Sequence, residues 1–416
     1  MSLSLKASFK EIFKNLVLSF LSYAMPTVVL QFVIQPIIAS QLGIESNGLY
    51  LTLMSLNYFV IGITASVLNT VRMLQNEEYE NKSFLGDFNI FFVGYAVLLA
   101  IVMPIGFILY SGSTNIVDIL LFILIAWLYL YHDYIFAQYR LQLNYKKILI
   151  NNIILVVGYF LGLGLFFIYP KWQIVIISAY LLGAIYDFFN TTFIREPLRI
   201  TPMFKKTAKK ISLLTCSQTL SSLTTYCDKL LLFPLLGGES VSVYTSASIV
   251  GKILLLLSSP LNSVLLSYLV KMDSLGAKLS KKKIGLLAGF LILAYAFCVI
   301  IGFPLTSFLY PDWASESQKY IPLTVAISAL ALLSNLLNTV VIRFYKTSFQ
   351  VILQGINLVV YLSFALSFIY FWSLWGFCIG SAIAGILKML ILLIVILKIK
   401  PNAQIDSTSN ETLNDA

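Results

Sequence analysis

Arg72, His132, Asp133, Asp187, Asp228, Lys229, Lys252 and Lys388 all lie inside long apolar runs or at their edges. A charge at the centre of a bilayer span costs about 2.5–3.5 kcal/mol on insertion scales, so each must meet a partner or a watery cavity. Asp228 and Lys229 sit roughly 12 Å from the outer end of their run, at 1.5 Å per residue. Sequence neighbours do not face each other on a helix, which predicts that these two do not neutralise one another. One then faces a cavity and the other faces packing, with Lys252 at comparable depth on the next run. Two arrangements fit: Lys229 and Lys252 attract an anionic substrate, or an Asp228–Lys252 ion pair ties two helices together. Arg72 precedes the acidic residues Glu77, Glu78 and Glu80. It is either a bidentate phosphate contact or an anchor at the inner membrane surface. Asp187 and the His132–Asp133 pair are candidate proton-coupling groups; the alternative is snorkelling or a local hydrogen bond.

Other chemistries lack their residues. The chain has one histidine, and its four cysteines form no CxxC or zinc-ligand spacing, so no metal site or other cofactor is expected. Gly251–Lys252 is followed by Ile253, with Ser246 where a P-loop begins with glycine, so no direct ATP site is expected. The outer connections are short and carry no paired carboxylates or nucleophile elbow, which argues against an enzyme. The basic start runs into an apolar stretch too long for a signal peptide.

The elements that position these groups follow from composition. Of 416 residues, 59% are hydrophobic and 11% charged, and mean hydropathy is +0.89. A soluble chain carries about 25% charged residues, so this is a polytopic membrane protein. Windows of about 20 apolar residues fall at 16–40, 48–72, 89–110, 117–137, 148–169, 174–194, 211–236, 242–270, 284–310, 320–341, 349–371 and 375–397. With the N-terminus inside, inner segments hold 23 of the 28 Lys and Arg, and outer loops hold Lys171 and Lys319 alone. That asymmetry predicts cytoplasmic N- and C-termini and removes support for nucleic-acid binding. Trp172, Trp313, Trp372 and Trp375 fall at outer ends, where indole favours the interface.

Phe9, Ile12, Phe13 and Leu16 alternate with Lys6, Lys10 and Lys14, so 1–15 reads as an amphipathic interfacial helix, and 401–416 reads as a disordered cytoplasmic tail. The bands Lys205, Lys206, Lys209, Lys210 and Lys281 to Lys283 are topology determinants able to attract anionic lipid. Gly158-xxx-Gly162 and Gly376-xxx-Gly380 predict close helix packing. The run from Leu42 to Tyr50, LGIESNGLY, returns from Leu236 to Tyr244 as LGGESVSVY, offset by half the chain. Both copies form the outer hairpin after the first span of a half. Six spans per half make the repeats parallel, giving an N-terminal lobe at 16–200 and a C-terminal lobe at 201–400.

These twelve spans, the L-G-x-E-S-x-x-x-Y hairpin after spans one and seven, and Asp228–Lys229 before its second copy resemble the MATE/MOP exporter superfamily. The polysaccharide branch, Wzx-type O-antigen flippases, fits best. The resemblance implies an all-α fold of two six-helix lobes around a V-shaped cavity lined by spans one, two, seven and eight. It implies export of an undecaprenyl-diphosphate-linked oligosaccharide across a bacterial inner membrane for O-antigen and lipopolysaccharide biosynthesis. Membrane lipids, a polysaccharide polymerase and a chain-length regulator are the implied partners. Substrate contacts would be Lys252, Lys229 and Arg72; Asp228, Asp187 and Asp133 would serve coupling or ion pairing, and Lys388 an intra-lobe pair. Prolines do not repeat: Pro26 and Pro36 of span one have no counterpart at Pro234 under the offset. A MATE-type cation exporter shares the fold, but its pocket would favour acidic residues. A membrane polymerase is the other alternative.

Overall fold

The computed structural model describes residues 18, 20–256, 258, 261–262, 281–345 and 347–397. The interfacial segment 1–15, the tail 401–416 and most of the 271–283 loop lie outside the described residues. Every regular element among the described residues is helical. In chain order these are α1 Phe20–Leu42, α2 Ile44–Ile63, α3 Ala65–Asn81, α4 Asp87–Ser111, α5 Ile116–Leu141 and α6 Tyr145–Phe166. There follow α7 Trp172–Asn190, α8 Phe204–Ala247, α9 Ile249–Leu256, α10 Lys281–Leu309, α11 Ile321–Phe344 and α12 Thr347–Leu397.

Among the described residues ten helical stretches are long and apolar enough to cross a membrane, so this is a multi-pass membrane protein. Two of the ten contain a sharp kink of non-helical backbone. At 1.5 Å per residue α12 would extend about 75 Å, more than twice the hydrocarbon thickness, and it turns at Trp372 and Ser373, where Ser373 takes φ 49°. Beyond the turn, Gly376 lies on the Phe368 carbonyl and Gly380 on that of Phe364, an antiparallel pairing that a side chain at either glycine would obstruct. Helix α8 breaks at Gly237, with φ 82° and ψ 174°. Gly43, at the same place in the first hairpin copy, has φ 76° and ψ 168°. Glycine is the residue that enters this region without steric cost. Counted at these breaks the described residues hold twelve segments, the eighth beginning at Gly238.

Pro36 follows a π turn, Leu30–Ile34, whose wider winding accommodates the ring. In contrast, α8 stays helical through Pro234 until Gly237.

Two compact units result, Met1–Val241 and Ser242–Ala416. The first therefore includes Phe204–Val241, which the sequence reading counted with the second half. Within it, α6 and α7 meet where Gly158 and Gly162 approach the backbone of Ala179 and Val175. One end of it holds a core of Val67, Leu68, Phe88, Tyr134, Phe136 and Phe193. In the second unit Thr324 donates its hydroxyl to the Ala247 carbonyl at 3.0 Å, and Trp313 Nε1 donates to Ser246 Oγ at 3.2 Å. This last bond corrects an expectation. Trp313 and Trp172 are buried and packed inside their units, whereas Trp372 and Trp375 are exposed. Trp172 is held by the Tyr50 ring, 4.9 Å away, and by Phe122.

Candidate functional site

The groups nominated from sequence fall into three settings. Arg72, on α3, is buried, and both its terminal nitrogens donate to Glu196, Nη1 to Oε2 at 2.9 Å and Nη2 to Oε1 at 2.5 Å. Its guanidinium also lies between the rings of Phe88 and Phe193, at 4.6 and 4.2 Å. Such an arginine is committed to its own protein, because a phosphate would have to displace a bidentate carboxylate that is itself 11% exposed. Glu196 belongs to the 191–203 linker, and that linker is sewn into the unit's inner end. Asn89 Nδ2 donates to the carbonyls of Phe193 and Glu196; Gln138 Oε1 accepts from the N–H groups of Thr192 and Phe193. Asp87, fully buried, accepts from Tyr79 Oη, Thr201 N and Thr201 Oγ1.

Asp228 and Lys229 depart from the expectation. Lys229 Nζ lies 3.5 Å from Asp228 Oδ2, and the Lys229 N–H donates to Asp228 Oδ1 at 2.8 Å. The helix-wheel argument concerns Cβ directions, and the four methylenes of a lysine let its ammonium swing back to the preceding residue. Both side chains remain partly accessible, at 13% and 18%. Lys252, on α9, is half-buried in the second unit. Lys388 makes no ion pair among the described residues, so the expected intra-lobe pair is not found there.

The third setting is the interior of the first unit. Tyr139 Oη donates to Asp187 Oδ1 at 2.8 Å. Asp187 is fully buried, so it does not snorkel. Asn69 Nδ2 donates to the Asp133 backbone carbonyl, while Arg140 reaches Tyr23 Oη with two nitrogens, at 2.9 and 2.7 Å. His132 packs on Phe136 and Tyr180, at 4.1 and 5.1 Å, rather than pairing with Asp133. Buried Asp187 Oδ2, Asn151 Oδ1 and His132 Nε2 meet no partner at hydrogen-bond geometry among the described residues.

Sequence reasoning missed a tyrosine cluster built by four helices. Tyr58 on α2 and Tyr129 on α5 have hydroxyls 3.3 Å apart; Tyr129 stacks on Tyr180 of α7 at 3.9 Å; Tyr58 lies 6.0 Å from Tyr226 of α8. Tyr226 is two residues from Asp228 on the same helix, α8. Glu45 was also missed as a functional group, although it lies in the repeated hairpin. Its two carboxylate oxygens accept the N–H groups of Gly238 and Glu239, at 3.0 and 2.9 Å, capping the helix that begins after Gly237. The two copies of the hairpin thus bind each other.

No family model matches the chain, and no curated protein matches it in sequence. Solved structures do. The lipid II flippase MurJ in an inward closed conformation superposes with a TM-score of 0.67 at 13% identity, covering 95% of this chain and 88% of that one. An inward-facing multidrug resistance MATE family transporter of the MOP superfamily gives 0.62 at 14% identity, with 91% and 98% covered. A variant of the Vibrio cholerae MATE transporter VcmN gives 0.60 at 15% identity, with 98% of each covered. The fold is that of MATE/MOP transporters.

Proposed function

We propose that the protein is a flippase that carries a lipid-linked oligosaccharide, an undecaprenyl-diphosphate-linked O-antigen or similar repeat unit, from the cytoplasmic to the periplasmic leaflet of a bacterial inner membrane. No covalent bond changes. The observation that carries the reading is the tyrosine cluster, one member of which shares helix α8 with the partly accessible Asp228 and Lys229, in a chain whose fold matches that of a lipid II flippase. Tyrosine rings and hydroxyls suit sugar faces and sugar hydroxyls; Lys229 is proposed as a contact for the diphosphate, and Lys252, in the other unit, is proposed separately as a substrate contact. Arg72 drops out as a contact because Glu196 occupies it. Asp187 is the proposed coupling carboxylate, with Asp133 in support. The termini are cytoplasmic on the charge count.

The test is purified protein in liposomes loaded with a fluorescent undecaprenyl-diphosphate oligosaccharide. It should expose the sugar on the opposite leaflet without ATP, either by equilibration or with an ion gradient. Failure to move this lipid while accumulating organic cations would assign the fold to drug export instead.

A further inference from the structure

Away from these groups, the first unit carries a groove of ≈ 710 Å³ on its surface, between α4, α5 and α7. Phe92, Trp127, Tyr131, Ile185, Phe188 and Phe189 are among its lining residues. Three observations separate it from the general apolar exterior of a membrane protein. It is concave and of ligand size. It has a definite length: Phe189 is adjacent to the C-terminal end of α7 and Trp127 is fourteen residues from that of α5, so the groove runs along the helices from roughly 2 to 21 Å from those ends at 1.5 Å per residue. One leaflet of hydrocarbon is about 15 Å thick. It also carries charge at one end only. Arg195 donates through Nη2 to the Phe188 carbonyl at 2.9 Å and lies over the Phe188 ring at 5.4 Å, which fixes a guanidinium at the inner mouth. The Arg195 side chain makes no ion pair among the described residues. Of the polar groups on its wall, Trp127 Nε1 donates to the Ala96 carbonyl at 2.8 Å, while the Tyr131 hydroxyl is buried.

We infer that this groove is a binding site for one anionic phospholipid of the inner leaflet, its acyl chain between α4, α5 and α7 and its phosphate on Arg195. An acyl chain suits an apolar, aromatic groove that reaches at least the depth of one leaflet, and the fixed guanidinium selects a headgroup of negative net charge.

Native mass spectrometry of the full chain released from nanodiscs of mixed phosphatidylglycerol and phosphatidylcholine tests this. The wild type should retain one tightly held lipid, with phosphatidylglycerol favoured about fivefold, the scale of one basic residue at an anionic surface. Arg195→Gln should keep the bound lipid but bring the preference to unity. Ala184→Trp, which fills the groove, should lose the retained lipid; a circular-dichroism melt within a few degrees of wild type would show that the variant is folded. Equal retention of both lipids by the wild type, or an unchanged preference in Arg195→Gln, would overturn the inference. So would displacement of the retained phosphatidylglycerol by stoichiometric undecaprenyl phosphate, which would make the groove a seat for a polyprenyl tail.

Discussion

Replacing Arg72 by Met separates a structural arginine from a substrate-contacting one. In the native protein the guanidinium makes two hydrogen bonds to Glu196 and is sandwiched by Phe88 and Phe193. Methionine keeps much of the apolar contact but leaves the Glu196 carboxylate buried and unpaired. Removing one partner of a buried pair costs about 3–5 kcal/mol, whereas replacing both by apolar residues of similar volume is often neutral. Two cation–π contacts of about 0.5–2 kcal/mol each are lost in either variant. The expected order of thermal stability in detergent is therefore wild type, then the double variant Arg72→Met with Glu196→Met, then the single variant well below. Membrane abundance by quantitative blotting should follow the same order. If the pair serves only to lock the 191–203 linker, surface polysaccharide should return with abundance in the double variant. Normal stability and abundance of Arg72→Met with transport abolished would refute the reasoning and restore Arg72 as a phosphate contact.

Gly376→Ala places a methyl group on the Phe368 carbonyl and should destabilise by about 1–3 kcal/mol; Gly164→Ala, which meets open space, should leave the melting temperature unchanged. Lys252→Ala should abolish surface polysaccharide with membrane abundance intact, and Lys252→Arg should keep part of the activity; a fall in abundance with Lys252→Ala, seen by blotting the complemented strain, would assign the residue to packing. In a background without the four native cysteines, Thr114→Cys should react with an impermeant thiol reagent added outside spheroplasts, and Lys82→Cys only after permeabilisation. The reverse pattern would invert the orientation.

Legibility in the sequence followed the range of the force involved. Spans are legible because a hydrocarbon slab demands about 20 apolar residues in succession, a condition local in sequence. The hairpin repeat is legible because Gly43 and Gly237 share a backbone conformation that few other residues adopt, so the same letter returns at the same place. The Arg72–Glu196 pair is not local: 124 positions separate its members, and nothing near either names the other. The tyrosine cluster draws one residue from each of four helices, so no periodicity within a helix reveals it. The Asp228–Lys229 pair failed for another reason, since a rule about Cβ directions was applied to a side chain long enough to evade it.

The polar groups of the first unit then divide by what satisfies them. Arg72, Asp87, Asn89 and Gln138 are consumed by the linker that closes its inner end, so this end is built to stay packed. Buried polar atoms are seldom left without partners, yet Asp187 Oδ2, Asn151 Oδ1 and His132 Nε2 meet none among the described residues. Water, a proton or a cation that enters and leaves would supply what the fold withholds there. A transporter needs some polar groups that its own packing does not quench, and among the described residues of this unit such atoms occur on Asn57 of α2, Gln75 of α3 and Asn152 of α6 as well as on His132, Asn151 and Asp187.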